Sequence, residues 1–263
     1  MIQIIGEKLN SSIPSTLAMM QAADMDALMA LVRNQKDAGA MYLDINTALC
    51  GEAGVELMRR LVNICRDEQI GVMLDSPDPA VIAQVLPETA GMDVIVNSVT
   101  CDERMTELLP LIAEAGCGVV LLPILGGRIP QTAEARVENA LAGVKRLTEG
   151  GVAPDRIYID ALVESIATTP GAGRVTVDTV KLLREALPDC HIVCGLSNVS
   201  FGLPARASLN ATALAMMVAN GLDAAICDPL SPTILGALYA SDAILGEDDY
   251  CIEYIGYIRD NMD

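Results

Sequence analysis

The chain has 263 residues, a length at which an α/β barrel closes without dividing, so residues 1–263 are read as a single domain. Hydrophobic residues make up 52% of it and aromatic ones only 3%, which provides a core of Leu, Ile, Val, Ala and Met but few rings on which nucleotide bases could stack. A formal charge of -18 argues against nucleic acid and anionic membranes as partners, since both demand clustered Lys and Arg.

Eight short apolar runs recur along the chain, over 2–6, 41–46, 71–75, 93–97, 118–123, 156–160, 191–195 and 223–228. They are continuously apolar rather than alternating, which is the pattern of strands buried on both faces in a parallel sheet. Longer segments separate them. In these, apolar residues such as Val137, Ala140, Leu141, Val144 and Leu147 recur at three- and four-residue steps, the spacing of a helix face. Eight strand-helix units in succession predict a (β/α)8 TIM barrel with parallel strands. Tyr and Ile alternate with polar residues over 250–259, which predicts an extra C-terminal helix.

The start of the chain lacks a basic, apolar leader, and no apolar stretch approaches the roughly 20 residues that span a bilayer, so a cytoplasmic protein is expected. Eight cysteines are scattered without a Cys-x-x-Cys pair, and the sole histidine, His191, lies three residues before Cys194. Reduced thiols and no metal site are the expectation.

Polar residues stand where the apolar runs stop: Glu7 and Asn10, Asp44 and Asn46, Asp75, Asn97, Asp160, Asn198 and Asp228. In a barrel these positions share the C-terminal rim, where active sites of this fold are built. Helix capping explains a polar residue at a helix start and so accounts for single members, but less well for a whole ring of strand ends. The turn over 194–206 is the densest part, with Gly195, Ser197, Asn198, Ser200 and Arg206; it either caps the following helix or binds a neutral ligand. The rim has no histidine, and of four lysines only Lys8 lies near a strand end, which argues against imidazole acid-base chemistry and a Schiff base. A ligand with N–H donors and no phosphate suits such a ring. The 2-amino-4-oxo edge of a pterin is a fork of that kind, with Asp160 and Asp75 on its N–H side and Asn97 beside them.

With these residues assembled, the sequence resembles the pterin-binding methyltransferases: the methyltetrahydrofolate:corrinoid/iron-sulfur protein methyltransferases and the folate-binding module of cobalamin-dependent methionine synthase. The resemblance runs through Ile4-Ile-Gly-Glu-Lys-Leu-Asn10, Leu43-Asp-Ile-Asn46, Leu74-Asp-Ser76, Val96-Asn-Ser98, Tyr158-Ile-Asp160 and Gly195-Leu-Ser-Asn-Val-Ser200. It implies a homodimeric enzyme that moves a methyl group between N5 of tetrahydrofolate and the cobalt of a corrinoid carried by a partner protein. On the matching positions Asp75, Asn97 and Asp160 would hold the pterin and Asn198 would stand against N5. Arg206 matches a family arginine or is a surface charge at a helix start. One departure is the Phe201-Gly202 pair, where the free-standing relatives carry glutamine after the last Ser. Phe201 either covers the heterocycle or fills a helix-strand interface.

Cleaving the N5–methyl bond requires positive charge at N5, and the Asn198 carbonyl can accept from a protonated N5 while water carries the proton. Two other readings remain beside this one. A dihydropteroate synthase must hold pyrophosphate, whereas the chain after the last apolar run reads Asp228-Pro-Leu-Ser-Pro. A non-catalytic pterin-binding subunit of a corrinoid complex would have the same rim without turnover.

Overall fold

A computed structural model describes residues 1–261. Eight parallel strands close into a barrel in sequence order: β1 (Gln3–Gly6), β2 (Tyr42–Asn46), β3 (Gly71–Asp75), β4 (Val94–Thr100), β5 (Gly118–Leu122), β6 (Ile157–Asp160), β7 (His191–Gly195) and β8 (Ala224–Cys227), with β8 pairing back onto β1. The helices are α1 (Pro14–Gln21), α2 (Met25–Asp37), α3 (Gly54–Asp67), α4 (Pro79–Val85), α5 (Glu103–Ala115), α6 (Ala133–Glu149), α7 (Ala172–Ala186), α8 (Arg206–Val218), α9 (Pro232–Leu245) and α10 (Ile252–Asn261). This is the TIM barrel that the eight apolar runs imply. Among the described residues no helix is long and apolar enough to cross a membrane.

The strands are apolar on both sides because each side meets a different core. Ile5, Met73, Ile95, Val120 and Val193 fill the barrel interior, while Ile4, Leu43, Val72, Leu74 and Val96 pack outward against the helices. Strand side chains alternate with a period of two, so the residue two places beyond an interior apolar one also points inward. That register carries polar groups to the C-terminal mouth: Glu7 follows Ile5, Asp75 follows Met73, Asn97 follows Ile95 and Asp160 follows Tyr158.

The opposite end is closed by hydrogen-bonded aromatics. Tyr158 Oη donates to Gln3 Oε1 at 3.0 Å, Tyr42 Oη to Asp93 Oδ2 at 2.6 Å, and Tyr158 stacks on His191 with ring centroids 4.5 Å apart. His191 thus lies at the end away from the mouth, as its place at a strand start implies. The C-terminal helix begins at Ile252 rather than Tyr250, because Tyr250 takes a left-handed conformation (φ 59°) in a 3-10 turn before it. The helix is anchored on α9 by the Tyr239–Tyr257 stack, and Tyr257 Oη donates to the Pro232 carbonyl at 3.1 Å.

Candidate active site

The mouth encloses a cup of about 650 Å³ whose wall includes Glu7, Asp44, Asp75, Asn97, Asp160 and Asn198. Two carboxylates are each held by one oxygen. Asp160 Oδ1 accepts from the Leu162 N–H at 2.7 Å, and Asp75 Oδ2 accepts from Asn46 Nδ2 at 2.7 Å. Among the described residues their remaining oxygens have no partner. Asn97 Nδ2 is committed to Asp44 Oδ1 at 3.3 Å, which leaves its carbonyl oxygen as a second kind of acceptor facing the cup. Ile13, Pro14, Ile226 and Phe201 complete the wall with apolar surface.

The turn after β7 is a 3-10 segment, Leu196–Ser200, and not the cap of the next helix. Helix α8 starts only at Arg206, with Ala205 before it at φ 52° and no side-chain cap, so the capping alternative for Ser197, Asn198 and Ser200 is overturned. Instead, Ser197 Oγ donates to Glu7 Oε1 at 2.8 Å, and the buried Ser200 accepts from Arg206 Nε at 3.0 Å. Arg206 Nη2 donates to the Ser197 carbonyl at 2.6 Å, so the guanidinium is built into the turn and is more than a surface charge. The exposed Asn198 side chain makes no hydrogen bond among the described residues. Gly195 leaves it room, since a Cβ there would lie 3.1 Å from Asn198 Nδ2. Phe201 is 67% exposed at the edge of the cup, which rules out its filling a helix-strand interface.

Two further expected residues have their side-chain oxygens occupied within the protein. Asn46 is outside the lining: its amide nitrogen holds Asp75, and its oxygen accepts from Ser11 Oγ and the Ala48 N–H, both at 3.0 Å. Asn10 lines the cup and folds its oxygen onto the Ser12 N–H at 2.9 Å. Asp75 does not cap α4; Asp78 does, accepting from the Ala80 N–H at 2.9 Å.

Sequence reading missed the cations that sit behind the acids. Arg136, 1% exposed, donates to the Ala161 carbonyl at 3.0 Å, the Leu162 carbonyl at 2.7 Å, and Glu164 Oε2 at 2.6 Å. It thereby fixes the peptide whose N–H holds Asp160. Arg104 likewise binds the Ser76, Pro77 and Ser98 carbonyls, tying the loops after β3 and β4. Both lie on helices where a sequence offers only a solvated charge, and no local pattern marks an arginine that turns inward. Buried Gln35 of α2 is similar: its Oε1 accepts from the Lys8 N–H at 3.0 Å. Lys8 itself pairs with Asp228 Oδ2 at 2.5 Å on the rim.

Burial makes the acids weak. It pushes Asp160 up to about 6, against the opposing pull of the Leu162 N–H and Arg136. Burial and then the neighbouring Asp75 charge hold the Asp44 pKa well above the ordinary carboxylate range, and burial raises Asp75 and Glu7 also. Raised carboxylates lodged in a cleft and lacking full pairing are the electrostatic mark of a functional site. At neutral pH Asp160 is largely ionised, an acceptor for N–H donors.

Residues 6–228 match the model of the pterin-binding enzymes. The chain belongs to that family. Within it, this pterin-binding barrel is 33% identical over 255 residues to a methylcorrinoid:tetrahydrofolate methyltransferase from Eubacterium limosum, covering 95% of this chain and 94% of that one. It is 32% identical over 240 residues to methionine synthase from Mycobacterium tuberculosis, where the match covers 86% of this chain but only 20% of the much longer relative. Dihydropteroate synthase from Stenotrophomonas maltophilia superposes with a TM-score of 0.71 over 93% of both chains at 18% identity, a likeness of fold.

Proposed function

We propose that this pterin-binding enzyme moves a methyl group between the cobalt of a corrinoid carried by a partner protein and N5 of tetrahydrofolate. The observation that carries the reading is the pairing of two half-open carboxylates, Asp75 and Asp160, with an unbonded amide, Asn198, across one cup. The carboxylates accept the pterin's 2-amino and ring N–H groups, and the Asn97 carbonyl accepts beside them. The substrates named for the Eubacterium limosum relative, alike over nearly its whole length, support the same reading. Its name also supplies the direction proposed, from methylcorrinoid to tetrahydrofolate. A second copy of the chain, implied by the family resemblance, is the other proposed partner.

The N5 lone pair attacks the methyl carbon. The carbon-cobalt bond breaks with its electron pair left on cobalt, which goes from Co(III) to Co(I), and N5 becomes a methylated ammonium that still bears its proton. Asn198 is the group placed for that charge: its carbonyl oxygen accepts from N5–H, steadying the positive centre. An amide is too weak a base to keep the proton, which leaves to water. The chain's remaining task is orientation, so that one face of the pterin is open to the corrinoid and the reacting atoms are aligned.

A dihydropteroate synthase would need cations for pyrophosphate at this mouth; of the two that line it, Lys8 is paired with Asp228 and Arg206 is bonded into the β7 turn through Ser197 and Ser200. The test is a single-turnover reaction of tetrahydrofolate with methylcob(III)alamin, followed by the appearance of Co(I) absorption. Enzyme-dependent Co(I) formation is expected. Tight tetrahydrofolate binding with no acceleration would leave a pterin-binding subunit without turnover.

A further inference from the structure

The N5 proton needs a receiver at the mouth, because the Asn198 amide accepts from N5–H but cannot keep the proton. Four carboxylates line the cup: Glu7, Asp44, Asp75 and Asp160. In a closed ring of eight strands each strand faces the one four places on, so β3 lies across from β7, β4 from β8 and β5 from β1. A pterin whose amino edge rests on Asp75 of β3, Asn97 of β4 and Asp160 of β6 therefore points its other ring, with N5, toward β7, β8 and β1. Asp44, 3% exposed, belongs to the amino-edge side, next to Asp75 and bonded by Asn97. On the N5 side β8 gives the wall Ile226, and Glu7 is the one acid among the lining residues.

Glu7 is also held in a fixed position. Its N–H donates to the Cys227 carbonyl at 3.0 Å, and the peptide after it is held by Gln35, whose Oε1 accepts from the Lys8 N–H at 3.0 Å. Its Oε1 accepts from Ser197 Oγ at 2.8 Å, one residue from Asn198, and its Oε2 has no partner among the described residues. We propose that Glu7 is the general base of the methyl transfer, its open oxygen taking the proton from N5. As the N5 lone pair bonds the methyl carbon and the carbon-cobalt pair stays on cobalt, the N–H electrons remain on nitrogen as its new lone pair and the proton passes to the Glu7 carboxylate. Solvent takes it from there through the mouth. In the opposite direction the Glu7 acid returns the proton to N5. Burial raises the Glu7 pKa, the Ser197 hydrogen bond lowers it, the Asp228 charge raises it, and Lys8 and Arg206 lower it, with a net shift upward. Asp44 and the thiols of Cys194 and Cys227 are the other titratable groups that face it. A carboxylate tuned upward holds a proton better than an ordinary one, closer to what a base working at neutral pH requires. The inference rests on the proposed function and assigns a residue to the step between N5 and water.

The test is the anaerobic single-turnover reaction of tetrahydrofolate with methylcob(III)alamin, run with the unmodified protein and with Glu7→Gln at saturating tetrahydrofolate. Glutamine keeps the volume and an oxygen for Ser197 Oγ, so the β7 turn is preserved while the base is removed. The variant is expected to form Co(I) about 10²-fold more slowly or worse, the scale of general base catalysis, and to lose the rise in rate between about pH 5 and 7 that the unmodified protein shows. Its tetrahydrofolate Kd should stay within about 3-fold, because the amino edge is held elsewhere. In Glu7→Ala, added formate should restore at least about 10-fold of the lost rate, which a purely structural carboxylate would not allow. If Glu7→Gln does not fold, Glu7→Asp keeps the charge and should retain the pH rise at a reduced rate. An unchanged rate in Glu7→Gln would overturn the inference, and so would a loss confined to tetrahydrofolate affinity, which would make Glu7 a binding group. In both cases the methyl-transfer reading would stand. Absence of Co(I) with the unmodified protein would overturn that reading and the general base with it.

Discussion

The two ends of the barrel are built from similar residues and treat them in opposite ways. At the N-terminal end Asp223 accepts from the Ile192 N–H at 2.7 Å, contacts His191 Nδ1 at 3.0 Å and pairs with Arg184 at 3.0 Å. Burial alone would raise its pKa, but His191, the Ile192 N–H and Arg184 outweigh it and hold the carboxyl below the ordinary range. At the mouth, Asp160 has one backbone N–H and a distant arginine, and burial wins. A polar group fully answered inside the protein stabilises the fold. One left half-answered at the C-terminal face is held ready for a ligand.

Breaking this contrast at the mouth should have the largest effect. Asn198→Ala is expected to slow single-turnover methyl transfer by about 10²-fold or more, the scale of losing one well-placed stabilising group, with a smaller change in tetrahydrofolate affinity. An unchanged rate would remove the amide from the mechanism. Asp160→Asn should weaken tetrahydrofolate binding by roughly 10- to 100-fold, as expected for charge-assisted hydrogen bonds, measured by calorimetry. In the unmodified protein the same affinity should fall as pH drops through about 6, where Asp160 takes up its proton and one acceptor is lost.

Behind the wall, Arg136→Lys keeps the charge but loses the fork on the Ala161 and Leu162 carbonyls. It should raise KM for tetrahydrofolate by about 5- to 10-fold while kcat at saturation stays within about 2-fold, as for a residue that positions a binding group. The mildest effect on activity belongs to the other end. Asp223→Asn should leave methyl transfer unaltered and lower the melting temperature by about 2–4 °C, near 1 kcal/mol for a half-exposed hydrogen-bonded carboxylate.

The two ends also respond to pH with opposite sign. Asp160 binds its proton more tightly folded than unfolded, so between about pH 4 and 6 the folded state carries more protons and its stability rises as pH falls. Asp223 is depressed when folded, so its contribution is present above the unfolded value and fades as pH falls toward the folded one. The ligand-free Asp223→Asn variant should therefore lose less melting temperature than the parent as pH falls below about 4, and the two should respond alike between pH 7 and 5.

The strands and the acids at their ends were legible because one rule produces both. A period of two carries Glu7, Asp75, Asn97 and Asp160 inward just past the apolar residues that define each strand, so strand and site are read together. Residues on helices obey no such rule. Arg136, Arg104 and Asn210 occupy positions where a polar side chain reads as solvated, and only the packing of neighbouring loops turns them inward. Asn46 shows the converse: its place at a strand end suggested the wall, yet Ser11, Ala48 and Asp75 consume its hydrogen bonds. The turn after β7 reads in sequence as either a helix cap or a binding loop, and the 3-10 segment that separates Asn198 from the start of α8 removes the cap.

The most direct test of the mouth as a pterin cradle is a crystal structure with 5-methyltetrahydrofolate. The bicycle should lie in the cup with its 2-amino edge on the open oxygens of Asp75 and Asp160, and with N5 within hydrogen-bond reach of the Asn198 amide. A ligand seated elsewhere, or reversed so that its amino edge faces the β7 turn, would contradict the account.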